Sequence, residues 1–318
     1  MLSYIIRRLL HALLIIVLVS FAVFLLVRAM PGDPIDIIVA QRTLVAMTPE
    51  QIEQLRQYHG LDRPVLIQYA NWLADVARGD FGRSIMHNYE IGGEIANRIT
   101  ISLTLGLTAF VVSFIIGPLL GIISAIRRGK FVDNLVSVVA NIGITAPTFW
   151  VAILLLYVFG LRLGWLPPFG YTLPWVNFGM SVRQSILPVI CLALGPIAQG
   201  ARQMRSSALE ILGEDYIRTA WAKGNNEKKV ILRHLLKNSL MPVITLQGML
   251  LRLIIGGAVV VESIFVIPGI GRLMVDSMHS LDYPVIQAVA LVMTVVVVLS
   301  SLIVDLLYAW VDPRIQYA

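Results

Sequence analysis

Apolar residues in this chain neither alternate nor recur at every third and fourth place; they gather into runs. Six runs, 9–27, 101–126, 135–161, 184–201, 241–261 and 285–310, match the ~20 residues a helix needs to cross ~30 Å of hydrocarbon. Four contain no Asp, Glu, Lys or Arg, the fifth holds Arg252 and the sixth Asp305. Helix is the spanning form that fits, because barrel strands would alternate and hydrocarbon leaves any open backbone unsatisfied. The pattern predicts an all-α polytopic membrane protein with six transmembrane helices.

Two polar stretches interrupt the runs and carry most of the charge. Residues 28–100 hold 16 charges and residues 202–238 hold 12. The first stretch has helical signals of its own. Thr48-Pro49-Glu50-Gln51 reads as an N-cap, a proline at the first helical position and a capping-box Gln, so a short helix should run to Tyr58 and stop at Gly60. Pro64 should open a second helix with Leu66, Tyr69, Ala70, Leu73 and Ala77 on one face, ending at Gly79. The division that follows is 1–30 for the N-terminal tail and first span, 31–100 for a small helical insertion, and 101–318 for a core that includes 202–240.

Composition agrees with a bilayer. The 318 residues are 57% hydrophobic and only 14% charged, where a soluble domain runs near 25% charged. A net charge of +6 comes without a basic stripe interleaved with aromatics, so nucleic acid is not expected as a partner. The excess of Lys and Arg fits inner membrane loops instead. Arg7, Arg8, Arg127, Arg128, Lys130 and eight basic residues within 202–237 fall on one side, against Arg162, Arg183 and Arg272 in the short loops of the other. Both termini are therefore expected in the cytoplasm, and 31–100 outside. The first run exceeds a signal-peptide core and lacks a small-x-small cleavage site, so it reads as retained.

Scans for chemistry exclude most enzyme classes. There is no G-x-x-x-x-G-K-[ST], no H-E-x-x-H and no G-x-S-x-G, and the five histidines are scattered. Cys191 is alone, which excludes a disulfide framework and a cysteine metal cluster. No cofactor is expected on the chain itself. Arg252 and Asp305 fall at similar depth in their runs, and a charge there must face protein or water. They read either as a structural pair or as part of a solute path. Gly117-x-x-x-Gly121 and Gly256-Gly257-Ala258 read as helix-packing positions.

The second polar stretch is too ordered for a linker. Glu214-Asp215-Tyr216-Ile217-Arg218-Thr219-Ala220-Trp221-Ala222-Lys223-Gly224 has an acidic first turn, a helical body, Lys in the last turn and Gly at the stop. Tyr216, Ile217, Ala220 and Trp221 beside charges suit a helix lying in a partner's groove, the alternative being a helix at the lipid headgroups. A second helix should begin after Asn225-Asn226 and end where Pro242 opens the fifth span.

At this segment the chain resembles the membrane subunits of ATP-binding-cassette importers, specifically the dipeptide, oligopeptide and nickel permeases. The resemblance rests on 215–224, on Lys228-Lys229-Val230-Ile231-Leu232-Arg233-His234 and on Asn238-Ser239-Leu240-Met241-Pro242. Gly79-Asp80-Phe81-Gly82-Arg83-Ser84, Gly257-Ala258-Val259-Val260-Val261-Glu262, Pro268-Gly269-Ile270-Gly271-Arg272 and Asp282-Tyr283-Pro284 extend it over nearly the whole chain.

The resemblance implies a type I importer permease fold and three kinds of partner besides lipid: a second permease, two cytoplasmic ATPases that carry ATP and Mg, and an extracytoplasmic solute-binding protein. It assigns ATPase coupling to Glu214, Asp215, Tyr216, Arg218, Thr219, Ala220, Lys223 and Gly224. Arg252 and Asp305 remain candidates for the translocation path. Thr219-Ala220 stands where many importers have Glu-Ala-Ala, and the longer interval from Gly224 to Pro242 favours the peptide branch. Arg252, where a small or apolar residue is expected, is a further departure. The solute itself, whether dipeptide, oligopeptide, nickel complex, glutathione, opine or oligosaccharide, stays open. The rival reading is an autonomous secondary transporter or channel, which predicts internal repeats that are not found.

Overall fold

A computed structural model describes residues 2–29, 48–58 and 62–311, and all of its regular elements are helical among those residues. The chain divides into two compact units, one of Met1–Thr100 and Arg272–Leu302, the other of Ile101–Gly271 and Ile303–Ile315.

In the first unit, α1 (Leu2–Ala29) is unbroken, as its uninterrupted apolar run demands. The capping box at Thr48 forms, with the Gln51 amide oxygen accepting from the Thr48 N–H at 3.0 Å, and α2 spans Pro49–Tyr58. Gly60, the expected stop, lies outside the described residues. α3 (Val65–Ala77) forms where Pro64 predicts it but presents a different face. Leu66, Ala70 and Ala77 are exposed, whereas Tyr69 packs edge-on against Phe21 and Phe24 at 5.1 and 5.5 Å and shares a 2.8 Å hydrogen bond with Ser20. Aromatic surface and a paired hydroxyl outweigh the smaller alanines in choosing the buried side.

Gly79 and Gly82, at φ +88° and +76°, turn the chain where a side chain would be strained. Ser84 then donates to the buried Asp282 carboxylate at 2.5 Å, and the Ile85 N–H does so at 3.2 Å. Two motifs separated by 198 positions thus meet in one hydrogen-bonded joint. Burial, and then the Asp282 charge, push the nearby Tyr89 phenol above its ordinary pKa.

The second unit contains α4 (from Ile91–Ile126), α5 (Phe131–Thr145), α6 (Thr148–Leu155, continued by a π-helical turn Leu156–Arg162), α7 (Phe178–Leu212), α8 (Asp215–Ala222) and α9 (Leu236–Ile264). Past these, α10 (Ile270–Ser280) and α11 (Tyr283–Val311) are the last described helices. Small residues set the spacing of α4 and α7. A Cβ on Gly121 would meet the Ala201 carbonyl at 2.4 Å, and one on Gly117 would meet that of Ile197 at 3.0 Å, so the predicted packing motif does pack. Gly200 lies so close to Gln247 that a Cβ would fall 2.3 Å from its amide nitrogen.

Three expectations change. The run 135–161 is not one straight helix: it bends by 107° between α5 and α6, because the residue before Pro147 is excluded from helical geometry and Ala146 takes ψ 125°. Pro242 does not open a helix but lies inside α9, reached through one α-turn, Glu227–Lys229, and π-helical Val230–Leu235. Among the described residues, four helices are long and apolar enough to cross a membrane, and six spans result when each of two bent helix pairs is one span. The third change concerns buried charge. Glu262, one residue beyond the predicted fifth span, is fully buried, accepts from Ser102, and packs so tightly that Gly269 has no room for a Cβ.

Candidate functional site

α7 runs out at Leu212, and Gly213 and Glu214 turn the chain into the eight residues of α8. The helix stops where Gly224 adopts φ +74°. Asn225 donates to the Ala220 carbonyl at 2.9 Å, and the Asn226 side chain accepts from the Lys229 N–H at 2.9 Å. One helix end and the next start are therefore capped by adjacent asparagines.

α8 has two distinct sides. Ile217 and Ala220 are buried with Val230 in a cluster against Ile211. That corrects the expectation that all four apolar residues face outward: two of them are the anchor. Glu214, Asp215, Tyr216, Arg218, Thr219, Trp221 and Lys223 form the exposed side, with Gly224 beside them. Tyr216 is fixed by a 3.1 Å hydrogen bond from Asn238, a residue of α9. Arg218 reaches Asp215 at 3.3 Å with both side chains largely in solvent. A rigid, short helix thus presents an aromatic pair, Tyr216 and Trp221, among exposed charges.

What holds this platform starts on α7. Arg205 donates to both oxygens of the buried Asp133 carboxylate, at 2.6 and 2.9 Å. Ser124 on α4 donates to the same group at 2.5 Å, and the Gly129 N–H does so at 2.8 Å. The turn between α4 and α5 is bound to the stem that leads into α8, seven positions before that stem ends. Asp133 lies just before the apolar run 135–161 and so is not an intramembrane charge by sequence; its signal is an acidic residue in the first turn of α5, three residues after Lys130.

Arg252 and Asp305 lie on α9 and α11, and their side chains are outside the described ones. Gln247, about four turns before Glu262 on α9, is fully buried and donates to the Pro196 carbonyl at 3.3 Å. Among the described residues no three His, Cys, Asp or Glu side chains converge in a way that could hold a metal ion.

Against known proteins, residues 117–317 match the family described as binding-protein-dependent transport system inner membrane component, and residues 1–105 match its N-terminal companion. The chain belongs to this family. The permease is 41% identical over 319 residues to a protein of Brucella suis biovar 1 (strain 1330) named as a peptide permease, with 99% of both chains covered. It is 40% identical over 317 residues to the glutathione transport system permease protein GsiC of Escherichia coli (strain K12), with 100% of both covered. Among solved structures it is similar to the MetNI methionine ABC transporter in an inward facing conformation, at a TM-score of 0.56 and 17% identity over 69% of this chain and 96% of that one. That likeness shows the fold, which is the type I ABC importer permease fold. The chain is a multi-pass inner-membrane permease subunit of an ABC importer.

Proposed function

We propose that this permease forms half of the translocation path for a peptide-like solute, that a second, homologous permease forms the other half, and that two cytoplasmic ATPases drive the pair. ATP and Mg belong to those ATPases. The observation that carries the reading is α8: a helix anchored by Ile217 and Ala220 that presents Glu214, Asp215, Tyr216, Arg218, Thr219, Trp221 and Lys223 on its exposed side. Ala220 contributes by anchoring, and Gly224 by ending the helix. When ATP closes the ATPases, α8 is carried with them, and α7, α9 and the Asp133–Arg205 joint pass the movement to the spans. Hydrolysis resets the path.

The positive-inside pattern supports a cytoplasmic side for α8 and both termini, and an outer side for residues 31–100, with α2 and α3, as an insertion before the permease core of 101–318. That insertion is suited to meet a solute-binding protein. The peptide-like solute is supported by the names of the relatives, a peptide permease and a glutathione permease. Arg252 and Asp305, as ionisable residues within apolar helices, belong to the path or to its contact with the second permease.

The test is co-purification from detergent of the native chain and of a Glu214→Arg, Trp221→Arg variant, both changes lying on the exposed side of α8. Two ATPases and a second permease should accompany the native chain, and the ATPases alone should be lost from the variant. Absence of any ATPase from the native complex would overturn the importer reading in favour of an autonomous transporter.

A further inference from the structure

α5 has three sides rather than two. Asp133, Ala140 and Gly143 are buried, Gly143 so closely that a Cβ would lie 3.0 Å from that of Ala198 on α7. Leu135, Val138, Val139 and Ile142 are exposed and apolar, as a lipid-facing side requires. Between these sides, at ~100° per residue, Asn134, Ser137, Asn141 and Thr145 fall in one stripe about 80° wide. Asn134, Asn141 and Thr145 are exposed and Ser137 is half-buried. The Thr145 hydroxyl is satisfied by the Asn141 carbonyl at 2.9 Å, whereas the two asparagine amides bond to no other described group.

The stripe leads to the break. Pro147 has no N–H to return to the Gly143 carbonyl, and the chain restarts at Thr148. Beside the break is a cavity of about 210 Å³ lined in part by Gly143, Thr148, Cys191, Gly195, Gln199 and Gly257. Among the described residues no charged side chain lines it. Unpaired amides and an interrupted helix are too costly against hydrocarbon; irregular backbone at membrane depth is tolerated where it lines a water-filled space or protein.

We infer that the stripe Asn134, Ser137, Asn141 and Thr145, continued by Thr148 and Gln199, is the wall along which the solute moves, and that it reads the amide backbone of a peptide rather than its side chains. Asn and Gln amides each donate and accept, as a peptide bond does, and hydroxyls do both. Arg202 and Arg205 border the stripe at Ser137 and Asn141, whereas the described lining of the cavity at the break is uncharged, so at the break the wall binds backbone groups and leaves differing side-chain charges unselected. This inference rests on the importer reading above and adds the wall and its chemistry.

The test uses the full importer in proteoliposomes, with its ATPases, second permease and binding protein. Single cysteines replace Asn141, Thr148, Val138 or Ile142 in a Cys191→Ser background, and a charged, membrane-impermeant thiosulfonate is added; labelling is read from the mass of this chain. Thiolate forms in water and is suppressed in hydrocarbon, where a one-unit rise in pKa costs a factor of ten. Asn141→Cys and Thr148→Cys should therefore react at least about tenfold faster than Val138→Cys and Ile142→Cys. A transported peptide should slow the first two. Equal rates at all four positions, or no labelling at 141 and 148 because the second permease covers them, would overturn the inference. A second arm compares import of two dipeptides, one neutral and one with a charged side chain, by Gln199→Leu. Loss of one neutral hydrogen bond should raise the half-saturating concentration about fivefold for both, and an effect confined to one dipeptide would overturn backbone reading. If labelling fails while ATP-driven import persists, only this inference falls; if no ATP-driven import exists, the importer reading falls with it.

Discussion

Two short polar connections in the second unit are built on opposite plans. The turn between α4 and α5 directs its charge inward: Asp133 is 3% exposed and collects Arg205, Ser124 and Gly129. α8 directs its charge outward, with the side chains of Arg218 and Asp215 76% and 95% exposed, and is held instead by Ile217, Ala220 and Val230. The contrast separates framework from interface. A buried, fully paired carboxylate fixes geometry at a desolvation cost, whereas exposed charges on an apolar anchor stay available to a second protein.

Three substitutions can break or sharpen that contrast. Asp133→Ala leaves Arg205 without its partner and removes the acceptor of Ser124 and Gly129. It should destabilise the permease by about 3 kcal/mol, read as a lowered thermal midpoint of the detergent-solubilised complex. A midpoint equal to the native one would mean that the joint does not organise the α7 stem. Trp221→Ala should do the reverse, weakening ATPase association by about 2 kcal/mol as loss of an exposed aromatic anchor does. Its effect on the midpoint of the isolated permease should stay within about 0.5 kcal/mol; a large fall in stability would make Trp221 framework too. Arg218→Ala should change folding by less than about 0.5 kcal/mol, because the ion pair to Asp215 is solvated. A salt-dependent loss of ATPase on-rate in the same variant would place Arg218 on the docking face.

Much of this architecture can be read locally. The runs give the helices, Thr48 and Gln51 give a capping box, Gly224 gives the end of α8, and Gly117-x-x-x-Gly121 gives a close helix contact. The α8 region is also recognisable as a docking element from its order of residues. Its inner and outer sides are not, because Ile217, Ala220, Tyr216 and Trp221 all suit an apolar face, and the choice depends on Ile211 and Val230 lying underneath. For α5 the difficulty is different. Hydropathy over a window averages Ser137, Asn141 and Thr145 into an apolar run, and only the rotation of the helix relative to α7 separates the stripe from the lipid side.

By itself, then, the sequence determines which segments enter the membrane, where short helices begin and stop, and which family the chain resembles, since each follows from composition or from residues within a few positions of one another. The tertiary structure decides that Glu262 is buried against Gly269, that α9 continues through Pro242, that Asp282 meets Ser84 and that Asp133 meets Arg205. In a bilayer an apolar residue is equally at home against lipid or protein, so the hydrophobic pattern sets depth and not partner. Partners are fixed by polar groups that must be paired once water is gone, and most of those pairs are joined by residues far apart along the chain.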